Sequence, residues 1–172
     1  MFRRYGFRRA SVDAIASEAS VAKPTLYAYF ADKDALFRAV VEHEVDEILS
    51  AARRAASSRK PPVERIADVL SAKFTRAWEL VHSSPHAAEL LDSQNALGAA
   101  AIAKLDREFL ALLIEAIEGA HAKHVPARDL ARVLLRAAAG AAYDATSSAM
   151  HRKHVAELVS VIFTGSRALA KS

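Results

Sequence analysis

From Ser11 to the end of the chain, apolar residues recur at three- and four-residue spacing, and no stretch alternates in the manner of a strand. The pattern predicts an all-helical protein. After a short basic start, Ser11 to Ala19 and Pro24 to Phe30 read as two brief helices separated by Ser20-Val21-Ala22-Lys23. Asp32 is placed to cap a long helix carrying Leu36, Val40, Val41, Val45, Ile48, Leu49 and Ala52 on one side, and Ser57 to Pro62 ends it. Val63, Ile66, Leu70, Phe74, Trp78 and Val81 form the stripe of the next long helix, which stops at His82-Ser83-Ser84-Pro85. A shorter helix is expected from Pro85 to about Asn95. Ile102, Leu105, Phe109, Leu112, Leu113, Ala116 and Ile117 mark another long one before Gly119, and the last two are expected over Ala127 to about Ala145 and Arg152 to about Ala170. That makes eight helical segments after the first nine residues.

Composition narrows the class. The 172 residues are 52% hydrophobic and 26% charged, which is the balance of a folded globular chain rather than a disordered one. With no cysteine there is no disulfide framework, zinc-thiolate site, iron-sulfur cluster or catalytic thiol. The longest uncharged stretch, Ser93 to Ala103, has 11 residues and includes Ser, Gln and Asn, too short and too polar for a membrane span. The basic start has no apolar run behind it of the kind a secretion signal needs, so a cytoplasmic location without membrane partners is expected. Net charge is +4, and +3 of it falls in residues 1–33, where six basic side chains face three acidic ones. That asymmetry is the footprint of a segment that faces phosphate.

Gly6 to Val41 carries the most specific pattern. In the first short helix Val12, Ile15, Ala16 and Ala19 point inward, with Leu26 and Phe30 doing so from the second, which is the sequence form of a helix-turn-helix. Ala16 has to be small because the second helix crosses close above it, Val21 is expected to plug the gap, and Leu26 closes the little core. The outer side of the second helix then offers Lys23, Thr25, Tyr27, Ala28 and Tyr29: a cation, a hydroxyl, a methyl and two phenols, suited to a major groove and its flanking phosphates.

Gly6-Phe7, Ser11-Val12, Ile15-Ala16, Ala19, Val21, Thr25-Leu26-Tyr27, Tyr29-Phe30, Lys33 and Ala35-Leu36 together resemble the DNA-binding signature of tetracycline-repressor-like (TetR) regulators. The resemblance covers about the first quarter of the chain. It implies a helix-turn-helix domain followed by an antiparallel helical bundle for effector binding and dimerisation, divided as 1–33, a connecting helix 34–56, and 57–172. It further implies DNA contacts from Ser11, Lys23, Pro24, Thr25, Tyr27, Ala28, Tyr29 and Lys33, the last at a phosphate. Four positions depart from the family pattern. Met1 to Tyr5 can supply only the final turn of a first helix, which is nearly absent. Ser20 stands where a turn glycine is usual and carries a modest penalty if it adopts a positive φ. Ala10 stands for the usual capping threonine, so either Ser11 caps one residue late or the end stays uncapped at a cost of about 1 kcal/mol. Pro24 suits a first helical turn and pushes Lys23 towards an extended conformation.

Other chemistry has less support in the residues. His121 with His124, and His151 with His154, have i, i+3 spacing, and His82 and His86 flank Ser-Ser-Pro, but each pair falls at a predicted helix end, and no metal or cofactor is expected. Gly-x-Ser-x-Gly, His-Glu-x-x-His and a glycine-rich phosphate loop are all absent, so no enzyme is expected. Phe74, Trp78, His82, Phe109, Leu112, Leu113 and Tyr143 are the candidate lining of an apolar effector pocket, with a filled core as the competing reading. Ala137, Ala138, Ala141, Ala142 and Ala145 around Gly140, with Val155, Leu158, Val159, Ile162 and Leu169, are the candidate interface of a homodimer. The function expected is a ligand-responsive repressor, released from a palindromic double-stranded operator by a small apolar effector. The alternative is a helical small-molecule- or metal-binding protein that has lost tight DNA binding.

Overall fold

The computed structural model describes residues 1–84, 86–92, 96–120, 125–141 and 145–169, with side chains in the last helix described as far as Thr164. Among them every regular element is helical: α1 (Phe2–Arg9), α2 (Val12–Glu18), α3 (Lys23–Tyr29), α4 (Lys33–Ala56), α5 (Pro62–Ser83), a 3₁₀ turn (Ala87–Leu90), α6 (Ala99–Glu118), α7 (Ala127–Gly140) and α8 (Ser148–Leu169). The all-α expectation holds, with three differences of extent. Of the short helix expected from Pro85 to Asn95, the described residues form only the 3₁₀ turn Ala87–Leu90. The seventh helix stops at Gly140, where glycine's low helix propensity weakens the end, so Ala145 lies outside it. The eighth begins four residues early because the Ser147 hydroxyl accepts from the Met150 amide at 3.1 Å, an N-cap the apolar periodicity did not reveal.

By compactness the chain forms two units, Met1–Glu47 with Glu79–Leu105, and Ile48–Trp78 with Asp106–Ser172. Both α4 and α5 therefore contribute to each unit.

In the first unit the core gathers around three phenylalanines. Phe2 and Phe7 both meet the fully buried Phe37 of α4 edge-on, with ring centroids 5.3 and 5.1 Å away, and lie 6.0 Å from one another. This is where α1 becomes important. It carries one turn, as the sequence suggested, and then breaks at Gly6, whose φ of 74° and ψ of 168° are open to glycine alone without strain. The break sets the Phe7 amide free to donate to Glu89 Oε2 at 2.9 Å, on the 3₁₀ turn. Glu89 Oε1 lies 3.1 Å from His86 Nδ1, and the Ser84 hydroxyl donates to the Arg3 carbonyl. Beside this, the buried Glu44 carboxylate of α4 is neutralised by Arg3. The second unit is filled by the inward faces of its helices, with Ile48, Leu49, Ile66, Leu70, Phe109, Leu113, Ile117 and Leu134 all fully buried.

Two backbone positions give opposite expectations on substitution. At Gly6 a Cβ would come within 2.7 Å of Glu89 Oε1 and 3.0 Å of His86 Nδ1 as well as being held at positive φ. Gly6→Ala should therefore lower unfolding free energy by about 2 kcal/mol. At Ser20 the φ is 55°, a conformation that glycine adopts without strain, so Ser20→Gly should raise it by about 0.5 kcal/mol. Urea unfolding of the two variants beside wild type checks both signs.

Candidate nucleic-acid interface and effector face

The helix-turn-helix forms as its residues require. Ser11 does cap one residue late: its hydroxyl accepts from the Ala14 amide at 3.1 Å, so α2 is not left uncapped. Asp13, in the first turn of α2, reaches Lys23 at the start of α3, with Nζ 2.7 Å from Oδ1. That hydrogen bond and the carboxylate's charge hold the Lys23 pKa above its ordinary value, so the ammonium stays charged. Between the helices Ser20 takes the left-handed turn, and the Val21 amide closes back onto the Ala16 carbonyl at 3.0 Å over the buried Ala16. Val21 fills the gap incompletely and is 38% exposed. The extended residue before α3 is Ala22, with φ −70° and ψ 143°, and Lys23 is already helical. Pro24 is tolerated there because amides of a first turn lack helical partners in any case.

On α3 only Leu26 turns partly inward. Lys23, Pro24, Thr25, Tyr27, Ala28 and Tyr29 are all exposed, Tyr27 by 45% and Tyr29 by 80%. A large aromatic left that open on a helix with no fully buried residue gains nothing for folding. The helix is thus an outward-facing array of hydroxyls, rings and one cation, with Lys23 paired at the surface to Asp13 of α2.

Lys33 corrects the expectation of a phosphate contact. Its ammonium turns inward, donating to the carbonyls of Phe7 at 3.0 Å and Ala10 at 3.2 Å, and lies 4.4 Å from the centre of the Phe7 ring. Those carbonyls lie where α1 ends and lack helical partners, so a lysine beside them serves the fold. The Asp32 cap of α4 is as expected, its carboxylate accepting from the Ala35 amide at 2.6 Å.

Of the expected effector residues, Phe109 and Leu113 are fully buried, Leu112, Phe74 and Trp78 are half-buried, and Tyr143 lies outside the described residues. His82 falls in the first unit and is exposed, so it is not grouped with the others. Trp78 donates from Nε1 to the Ala145 carbonyl at 3.3 Å. From Ala72 to Trp78 no residue of α5 is either fully covered or fully exposed, whereas a helix in a filled bundle alternates between the two. His151 was read from sequence only as half of a histidine pair. It is fully buried, its ring 6.0 Å from that of Phe74 and its Nε2 3.3 Å from the Ala138 carbonyl. The signal that would have found it is the earlier start of α8 at Ser148, which moves His151 from a helix end into the first turn.

Among the expected interface residues, Ala138, Val155 and Val159 are already fully buried within the second unit, and Ala145 nearly so. Their packing is internal, because α7 and α8 cover one another's apolar faces. Ala137, Ala141, Leu158 and Ile162 stay half-buried. Ala142 lies outside the described residues, as do the side chain of Leu169 and the His121 and His124 pair. No group of three His, Cys, Asp or Glu side chains is placed to hold a metal among the described residues, and no described helix is long and apolar enough to cross a membrane.

Residues 1–40 match the family of bacterial regulatory proteins of the tetR type. The activator FasR of Mycolicibacterium smegmatis is 35% identical over 69 residues, 40% of this chain and 32% of its own length, so the match spans about a third of that relative. The fold is shared with solved TetR-type regulators. One from Thermobifida fusca superposes with a TM-score of 0.69 at 24% identity, covering 92% of this chain and 89% of its own. Another, from Rhodococcus sp. RHA1, gives 0.63 at 23% identity over 99% and 90%. FadR of Bacillus subtilis, solved with stearoyl-CoA, gives 0.64 at 16% identity over 92% and 91%. Residues 1–40 thus carry a helix-turn-helix of the tetR type, and the described chain shares the all-helical fold of solved TetR-type regulators.

If Lys33 is a structural lysine, Lys33→Met should lower unfolding free energy by about 2 kcal/mol, since two charge-assisted hydrogen bonds and a cation–π contact are lost. Thermal unfolding with and without the substitution checks it. Destabilisation within error of zero would return Lys33 to the surface.

Proposed function

We propose that the protein is a ligand-responsive repressor that binds a palindromic operator as a homodimer in the cytoplasm and leaves it when a small apolar effector occupies its second unit. The observation that carries the DNA half is the exposed α3, with Tyr29 the most open large hydrophobic residue of the described chain. Thr25, Tyr27 and Tyr29 offer hydroxyls to phosphate or base edges, and Lys23 adds a cation at the front of the helix. Two copies related by a twofold axis present two such helices to successive major grooves, and an effector that favours another spacing of those helices shifts the population away from the bound state.

The effector half rests on the loosely covered stretch of α5 around Phe74 and Trp78. An acyl chain is a reasonable first probe, because one protein of similar fold was solved with stearoyl-CoA. The dimer half rests on Ala137, Ala141, Leu158 and Ile162, the expected interface residues that the second unit leaves partly uncovered. Small residues such as these two alanines permit close helix approach.

In a fluorescence-anisotropy titration with DNA from upstream of the gene, affinity should fall by about a hundredfold or more between about 50 and about 200 mM salt as counterions are released. Tyr29→Ala should weaken binding about fivefold, the equivalent of one lost hydrogen bond. No binding at low salt would remove the DNA function, and transcription stimulated rather than blocked by the bound protein would make it an activator. For the dimer, light scattering should give twice the chain mass at micromolar concentration, and Ala141→Glu should shift it towards the monomer. A monomeric wild type would contradict the interface.

A further inference from the structure

The second unit hides a polar group that its own packing leaves unsatisfied. His151 is fully buried, and its Nε2 lies 3.3 Å from the Ala138 carbonyl. A carbonyl only accepts, so Nε2 carries a hydrogen, and a ring with that one hydrogen leaves Nδ1 as a lone pair. That Nδ1 is buried and meets no hydrogen-bond partner among the described residues. Buried polar atoms are nearly always paired, and a bare one is destabilising unless something fills the place.

What lies around it suggests the occupant. The Phe74 ring is 6.0 Å from the His151 ring and tilted 60° to it. Thr75, the next residue on α5, buries a second unpartnered oxygen, Oγ1. Both belong to the stretch from Ala72 to Trp78, in which every residue is half-covered. An apolar wall with a few polar atoms is the usual composition of a small-molecule site, and here Nδ1 is the unmet acceptor beside Phe74.

We propose that His151 is the polar anchor of the effector site and that the effector is an apolar molecule with one hydrogen-bond donor, an alcohol, phenol or amide, which donates to Nδ1 alongside Phe74. The assignment rests on the ligand-responsive reading above and makes it specific. A carboxylate, which only accepts, offers nothing to a lone pair, so a neutral donor is selected over a fatty acid anion. A resident water is the competing occupant.

The test uses the full chain with two probes of matched apolar length, 1-decanol and decyl methyl ether, which lacks the donor. Occupancy is followed by Trp78 emission and by Tm, and the His151 ring nitrogens by their ¹⁵N shifts. Decanol should bind about fivefold more tightly than the ether, the worth of one buried hydrogen bond, and should move the Nδ1 signal while the ether leaves it in place. His151→Leu should abolish the alcohol's advantage. Equal affinities in wild type, or an advantage that survives in His151→Leu, would overturn the assignment. So would an Nδ1 signal that ignores saturating decanol, which would leave a resident water only and needs no variant to fold. Failure of both probes to bind would also overturn it. The wider effector reading falls only if a broad screen of apolar compounds leaves both emission and Tm unchanged.

Discussion

The peptide at Phe7 is fixed from both ends, and the first unit is organised around it. Its N–H goes to Glu89, its carbonyl to Lys33, and its ring takes the Lys33 ammonium on one side while meeting Phe2 and Phe37. None of this is possible with a continuous first helix, in which the Phe7 amide would be spent on the carbonyl four residues earlier. Gly6 at φ 74° is what releases it. One residue without a side chain thus lets a carboxylate of the 3₁₀ turn and a helix-borne lysine converge on one peptide beside the three phenylalanines.

That arrangement changes the meaning of two charged residues. Arg3 and Lys33 both sit in the basic segment that gives the chain its asymmetric charge, yet both turn inward, to buried Glu44 and to the carbonyls of Phe7 and Ala10. An ammonium placed over an aromatic ring and two carbonyls is a tether, and the positive charge left for an anionic partner is smaller than a count of residues suggests. The exposed helix α3 stands in contrast, with groups that neither the core nor the turn uses. Structural demand and display are separated residue by residue within one motif of about thirty positions.

The second unit shows the reverse case. There Phe109, Leu113, Leu134, Val155 and Val159 are fully buried while Phe74 and Trp78 are only half-covered, and His151 and Thr75 keep buried polar atoms without partners among the described residues. A core optimised for stability alone would have met or replaced them.

Much of the fold was legible in the sequence because it depends on local chemistry. Helix periodicity, the Asp32 cap and the small Ala16 each follow from a few neighbouring residues and are found as expected, while at Ser11 and Ser20 the sequence left two outcomes open, of which the cap and the positive φ are found. The outward residues of α3 were legible for the same reason, since one face of a short helix is set by spacing. What the sequence could not contain was which distant group meets which. Lys33 reads as a surface cation until Phe7 and Ala10, more than twenty positions earlier, turn out to supply its acceptors. Glu89 reads as part of a short helix until the Phe7 amide, 82 positions away, claims its carboxylate. His151 reads as a helix-end histidine until the Ser147 cap starts α8 early and Phe74 closes over its ring. In each case a polar atom's partner is chosen by chain closure over long separations, and only the tertiary structure decides whether a charge or a lone pair is spent on the fold or left for a ligand.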